Sequence, residues 1–229
     1  MRKINSMVNE SFKKGIIRIH NIMVKKSKIW LEKRRKDQFH KLASSLGYRS
    51  RAAFKILQIA EKNPFFLKKG DKVLDLGAAP GGWIQAIRKI IGDEGFIYGV
   101  DVKPIKPFNL NNVKTEVLDL TSENAASKIL ELTNGEKFDV IVSDASPKFS
   151  GISELDAYRQ YYLAKKAFEI AEKTLKKGGN FLVKMLQSKE LKFLEEELKH
   201  KFKKIKMIKP LASRKESSEI YILCLNFTG

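Results

Sequence analysis

From Asp71 to the C-terminus, short apolar runs of strand character alternate with longer segments of helical period. This alternation constrains the fold more than any other feature of the 229-residue chain. Strands are predicted over 72–76, 95–101, 113–118, 138–144 and 180–184, with two more over 204–208 and 219–226. Helices are predicted over about 82–91, 125–132, 155–175 and 189–199, and Lys176-Lys177-Gly178-Gly179 reads as a turn. Parallel neighbours need a crossover helix between them. The expected class is therefore α/β, with a mostly parallel seven-stranded sheet and helices on both faces.

Ahead of this domain lies a segment of different composition. Residues 1–51 hold 15 Lys/Arg against 3 Asp/Glu, a net +12, whereas residues 52–229 hold 30 against 23, a net +7. Dense patches at Lys25-Lys26-Ser27-Lys28 and Lys33-Arg34-Arg35-Lys36 mark a basic helical extension, 1–45, ahead of one α/β domain, 46–229. Met7 and Met23 are alternative starts within the extension. A further helix is expected over about 50–61. Such asymmetry points to a polyanionic partner, nucleic acid before an anionic membrane. We expect the extension together with Arg49 and Arg51 to contact phosphates, and Phe39 to pack against the domain rather than stack on bases. Trp30 is expected to pack in the same way.

Several classes are excluded. The chain is 43% hydrophobic with 14 Phe and 2 Trp, which is unlike a disordered sequence. No apolar run reaches the length of a membrane span, and Arg18 and His20 interrupt the only N-terminal apolar stretch. A cytoplasmic protein is expected. A single cysteine, Cys224, lies within an apolar run and reads as a buried small hydrophobe. Three scattered histidines, His20, His40 and His200, offer no metal site.

The first strand runs into Asp75-Leu76-Gly77-Ala78-Ala79-Pro80-Gly81-Gly82-Trp83. In open α/β sheets ligands bind beyond the carboxyl ends of the strands, and small residues let the backbone approach them. The dinucleotide pattern G-x-G-x-x-G is broken by Ala79, and Pro80 alters the turn, so a nicotinamide cofactor is disfavoured. Asp101 ends the second strand, where a carboxylate accepts from ribose hydroxyls. Asp119 follows the third, within reach of an adenine amino group. Each aspartate alone fits a loop or helix cap equally well. Three acidic strand ends around one glycine-rich turn favour an adenosine-type cofactor. Asp144 ends the fourth strand and Lys184 the fifth. A lysine closing an apolar strand needs either a salt bridge or a proton-transfer role.

Five segments, in order, resemble the FtsJ/RrmJ family. They are Arg49-Ser50-Arg51-Ala52-Ala53-Phe54-Lys55-Ile56, the Leu74–Trp83 loop, Ser143-Asp144-Ala145-Ser146-Pro147, Phe181-Leu182-Val183-Lys184 and Ser218-Glu219-Ile220-Tyr221. The resemblance covers about residues 37–226 and implies a Rossmann-like methyltransferase fold. It implies transfer of a methyl group from S-adenosyl-L-methionine to an RNA ribose 2′-hydroxyl. The family's Lys-Asp-Lys-Glu tetrad falls on Lys55, Asp144, Lys184 and Glu219. Its cofactor residues fall on Asp75, Gly77, Ala78, Pro80, Gly81, Gly82, Trp83, Asp101, Asp119 and Asp144. Lys148 departs from the asparagine that many members carry after the proline.

A ribose hydroxyl must lose its proton as it attacks a sulfonium methyl. The resemblance makes Lys184 the general base or the group that stabilises the developing alkoxide. Lys55 favours its neutral form by like-charge repulsion, while Asp144 and Glu219 favour the charged form, and the sequence leaves that balance open. Among family members, an unfused chain of this size is most similar to those acting on a uridine of large-subunit, 23S-type ribosomal RNA. A tRNA anticodon loop or an mRNA cap is the alternative substrate. A non-catalytic ribosome-assembly factor that binds RNA is the alternative class.

Overall fold

A computed structural model describes residues 38–214 and 216–229. All but residues 38–45 of the expected 1–45 extension, Trp30 included, lies outside the described residues. The compact unit runs from Phe39 to Gly229. Residues 38–45 are helical and carry Phe39, which is buried with its ring 5.5 Å from that of Phe54.

The chain then forms α1 (Ala53–Lys62), β1 (Lys72–Leu76), α2 (Gly82–Ile91), β2 (Phe96–Asp101), β3 (Val113–Val117) and α3 (Ala125–Leu132). There follow β4 (Phe138–Ser143), α4 (Ser153–Thr174), β5 (Leu175–Leu186), α5 (Glu190–Lys199), β6 (Phe202–Ile208) and β7 (Glu219–Phe227). The seven strands make one sheet in the order β3-β2-β1-β4-β5-β7-β6. The first five strands pair in parallel, and β7 pairs antiparallel to both β5 and β6. Among the described residues no helix is long and apolar enough to cross a membrane.

The two-residue period of the strands sorts their side chains between two cores. Leu74 and Leu76 of β1, Ile141 of β4, Phe181, Val183 and Met185 of β5, and Ile222 and Cys224 of β7 share one core with α3, α4 and α5. The residues between them, including Asp75, Lys184 and Tyr221, therefore belong to the other face. There Lys55 of α1 meets Tyr221.

One expectation fails locally. Residues 176–179 are not a turn outside the sheet but part of β5. Leu175 pairs with Phe138 and Asn180 with Val140, so the stretch between them bulges out of register against Asp139. Gly178, at φ +82°, supplies the left-handed conformation that the bulge requires.

Sequence order reverses beside β1: β2 and β3 lie on one side, β4 and β5 on the other. The last pairs are Leu76 with Val100, Leu76 with Ser143, and Ser143 with Val183. The carboxyl ends of β1, β2, β4 and β5 thus form one rim, at the position where open α/β sheets hold ligands.

Candidate active site

Four elements bring charged side chains to this rim. Lys184 of β5 is buried with its side chain 8% exposed, and its Nζ lies 3.2 Å from Asp144 Oδ1. The same ammonium donates to the Asp144 carbonyl at 2.7 Å. Lys55 of α1 pairs with Glu219 Oε1 at 2.7 Å and stands 4.0 Å from Asp144 Oδ1. The four residues picked out by the sequence thus form one cluster, Lys184–Asp144–Lys55–Glu219.

Sequence reasoning missed a fifth member. Tyr221 donates its hydroxyl proton to Asp144 Oδ1 at 2.7 Å and accepts from Lys55 Nζ at 3.0 Å, so it bridges the two. The signal was present: Tyr221 lies two residues from Glu219 on a strand, hence on the same face. Ser213 closes the outer side by donating to Glu219 Oε1 at 2.6 Å.

The electrostatics follow from this wiring. Burial works to raise the proton affinity of Asp144. The Lys184 charge, the Lys55 charge and the hydrogen bonds from Tyr221 and Lys184 outweigh it and hold the carboxyl below its ordinary range. Burial, with Asp144 and Glu219 beside it, keeps the Tyr221 phenol well above its ordinary value. It is a neutral donor.

The glycine-rich turn is built to a tight tolerance. A Cβ on Gly77, whose φ is +79°, would stand 2.6 Å from the Ala145 Cα and 2.9 Å from its backbone nitrogen. That close approach packs the turn against the segment that follows Asp144. Gly81, at φ +104°, caps the N-terminus of α2. Asp101 accepts from the Ala79 N–H at 3.0 Å through Oδ2 and from Lys103 N–H at 2.9 Å through Oδ1. A carboxylate has about four lone-pair sites, so hydroxyl donors can still be accepted. Asp119 is exposed and holds a local turn, accepting from Thr121 N–H and Oγ1 at 2.8 Å each. The Trp83 indole N–H donates to the Ala52 carbonyl at 2.9 Å, and its ring is 5.8 Å from that of Tyr221. Trp83 thereby joins the turn to the start of the helix bearing Lys55.

Asp75 tests whether this rim suits a cationic cofactor. It is fully buried, and neither carboxylate oxygen has a hydrogen-bond partner. Burial first, then the Asp144 and Asp101 charges, push its carboxyl well above the ordinary range. Asp144 already faces two lysines, whereas Asp75 has no hydrogen-bond partner and Asp101 accepts from backbone N–H groups. S-adenosyl-L-methionine carries a sulfonium and an ammonium, and a cation beside the unpartnered Asp75 would favour its charged form, so Asp75 is an acceptor that fits such a group.

The two arginines expected to contact phosphates also hold backbone carbonyls of the fold. Arg49 spends its guanidinium on the Pro80, Lys106 and Pro107 carbonyls, at 3.3, 2.6 and 2.9 Å, and lies over the Phe108 ring. Arg51 donates to the Ala212 carbonyl at 2.8 Å. Sequence composition counts cations but does not show which carbonyls engage them.

Known proteins resemble this chain over most of its length. The FtsJ-like methyltransferase model matches residues 48–227. "Ribosomal RNA large subunit methyltransferase E" of Methanocaldococcus jannaschii is 44% identical over 209 residues, spanning 90% of this chain and 85% of the relative. Its namesake in Methanothermobacter thermautotrophicus is 41% identical, spanning 88% and 95%. A crystal structure of a ribosomal RNA methyltransferase from Plasmodium falciparum superposes with a TM-score of 0.70 at 31% identity, covering 80% of this chain and all of that one. Aeropyrum pernix fibrillarin with bound S-adenosyl-L-methionine shares the fold alone, at TM-score 0.51 and 20% identity over 78% and 75% of the chains. With its family model matched across the whole described sheet, this chain belongs to the FtsJ-like methyltransferases.

Proposed function

We propose that the protein transfers a methyl group from S-adenosyl-L-methionine to a ribose 2′-hydroxyl of large-subunit ribosomal RNA. The observation that carries this reading is Lys184. It is a buried amine held 3.2 Å from Asp144 at the sheet rim, beside the glycine-rich turn and a second Lys–Glu pair. Names borne by relatives at 40–44% identity support ribosomal RNA over tRNA.

When bound, S-adenosyl-L-methionine supplies an electrophilic methyl group on a sulfonium. With its amine deprotonated, Lys184 Nζ takes the proton from the 2′-hydroxyl as that oxygen attacks. Asp144 fixes the amine through its carboxylate and its carbonyl, and it receives charge support from Lys55. Glu219 and Tyr221 hold Lys55 in place, so the second amine favours the negative charge developing on the 2′-oxygen. Gly77, Ala78, Pro80, Gly81 and Gly82 shape the cofactor turn and Trp83 braces it; Asp101 would accept from the ribose hydroxyls and Asp119 from the adenine amino group. The basic extension 1–45 contributes sequence-independent affinity for RNA.

The test is methyl transfer from tritiated S-adenosyl-L-methionine to isolated ribosomal RNA, ribosomal subunits and tRNA. Label is expected on large-subunit RNA. Lys184→Ala is expected to lower the rate by about 10²–10⁴-fold with cofactor binding intact. A fully active Lys184→Ala variant overturns the mechanism, and label confined to tRNA overturns the substrate.

A further inference from the structure

Gln160 lies on α4, on the opposite side of the sheet from Lys55, and it is 1% exposed. Its Nε2 donates to the Ala145 carbonyl and to the Lys184 carbonyl, both at 3.1 Å. Both acceptors are carbonyl oxygens, so the NH₂ end must point at them and the amide orientation is fixed.

The location of these bonds gives them meaning. The β4–β5 ladder ends at the Ser143–Val183 pair. The next residues along, Asp144 and Lys184, are the ion pair of the site. On its other side Lys184 is still paired with Tyr221 of β7. On the β4 side the strands part, and the two hydrogens of one side-chain amide tie the segments together instead. The other polar atom of the Gln160 side chain, Oε1, is buried without a partner. Packing alone does not call for that unpaired oxygen, since a leucine or methionine would fill the volume without it.

We propose that Gln160 is a positioning residue for methyl transfer. It continues the strand ladder by one rung and so sets the separation of Asp144 and Lys184. It touches neither reactant. The inference rests on Lys184 acting as the base. Reacting groups displaced by about 1 Å lose up to roughly 10²-fold in rate, so a loosened rung is read in the chemical step.

The experiment is single-turnover methyl transfer, reading rate constant and amplitude separately, for the full-length protein and for Gln160→Met, Gln160→Asn and Lys184→Ala. Methionine keeps length and apolar volume and removes both donors. Asparagine keeps the amide one methylene short, so it reaches one carbonyl. Gln160→Met is expected to cut the rate constant roughly 10- to 100-fold. Its amplitude, cofactor affinity and KM for RNA are expected to stay within about twofold. Gln160→Asn is expected to fall between wild type and Gln160→Met. An unchanged rate constant with reduced amplitude or a lower melting temperature assigns Gln160 to stability and overturns the proposal. An inactive Lys184→Ala beside a fully active Gln160→Met overturns this inference alone. An active Lys184→Ala overturns the reading on which it rests.

Discussion

Asp144→Asn measures how the buried charges of the rim are balanced. The Asp144 carboxylate meets Lys184 at 3.2 Å and Lys55 at 4.0 Å, and it accepts from Tyr221 at 2.7 Å. When it is neutralised, Lys55 keeps Glu219 at 2.7 Å. Lys184 keeps the backbone carbonyl it already uses and meets a neutral amide oxygen where the carboxylate stood. Two unit charges 3.2 Å apart attract by about 5 kcal/mol at an effective dielectric of about 20, which bounds the effect from above. Stranding one member of a buried pair costs about 3–5 kcal/mol. The surviving carbonyl contact places Asp144→Asn near 3 kcal/mol, the lower end of that range. Adding Lys184→Met removes the stranded ammonium, so the double variant should be more stable than Asp144→Asn alone, with a coupling of about 1–3 kcal/mol. The pH dependence has a definite sign. The Asp144 carboxyl is held below its ordinary range in the folded state, so its contribution is fully present above that range and fades as pH falls through it. Guanidinium unfolding of the four proteins of this cycle, repeated from about pH 7 down to about pH 3, provides both readouts. Additive free energies, or a wild-type advantage that survives undiminished in acid, would refute the charge-balance argument.

Gly77→Ala forces a Cβ to within 2.6 Å of the Ala145 Cα at a left-handed φ. It should destabilise the fold by at least about 2 kcal/mol and abolish cofactor binding, and a variant that binds normally in calorimetry contradicts the packing argument. Arg49→Ala frees the Pro80, Lys106 and Pro107 carbonyls. It should weaken cofactor binding and leave the salt dependence of RNA affinity unchanged; a shallower salt slope would return Arg49 to the phosphate-binding set. For the whole protein, RNA affinity should fall steeply with salt, each neutralised phosphate contributing a log–log slope of about −0.7 to −0.9, and a flat titration contradicts the electrostatic reading.

The parts of the site legible in the sequence were those carried by strand ends and by local spacing. Asp144 and Lys184 close neighbouring strands, so their meeting followed once the β-α alternation was read. Asp101 followed in the same way. What escaped has two causes. Ile220 to Cys224 is apolar at every position because both sheet faces are buried there. A continuous apolar run hides its own parity, so Tyr221 did not stand out from its neighbours. Gln160 and Arg49 escaped because their partners are backbone carbonyls, which every residue carries. Nothing in a sequence distinguishes the carbonyl of Lys184 or Pro107 from any other. The bulge at 176–179 escaped because Gly178-Gly179 signals a break without saying whether the chain leaves the sheet or only slips its register.

The antiparallel direction of β7 explains how this site could be assembled at all. The rim lies at the carboxyl ends of the parallel strands. A parallel strand enters a sheet at the opposite edge and reaches the rim only with its last residues. An antiparallel strand enters at the rim, so the first residues of β7 are already there. Its register places Tyr221 opposite Lys184 and Glu219 opposite Leu186. One strand thus delivers a carboxylate and a phenol, two residues apart and on one face, to the side of β5 away from Asp144. Lys55 then arrives from α1, 166 positions from Tyr221 in sequence, and its charge is met by Glu219 before it reaches Asp144. The order β5-β7-β6 makes this work, because the last strand is inserted between its predecessors. Had β7 been added at the edge beyond β6, Glu219 and Tyr221 would stand one strand spacing, about 4.8 Å, further from Lys184 than they do, and the bridge from Lys55 to Asp144 would be broken.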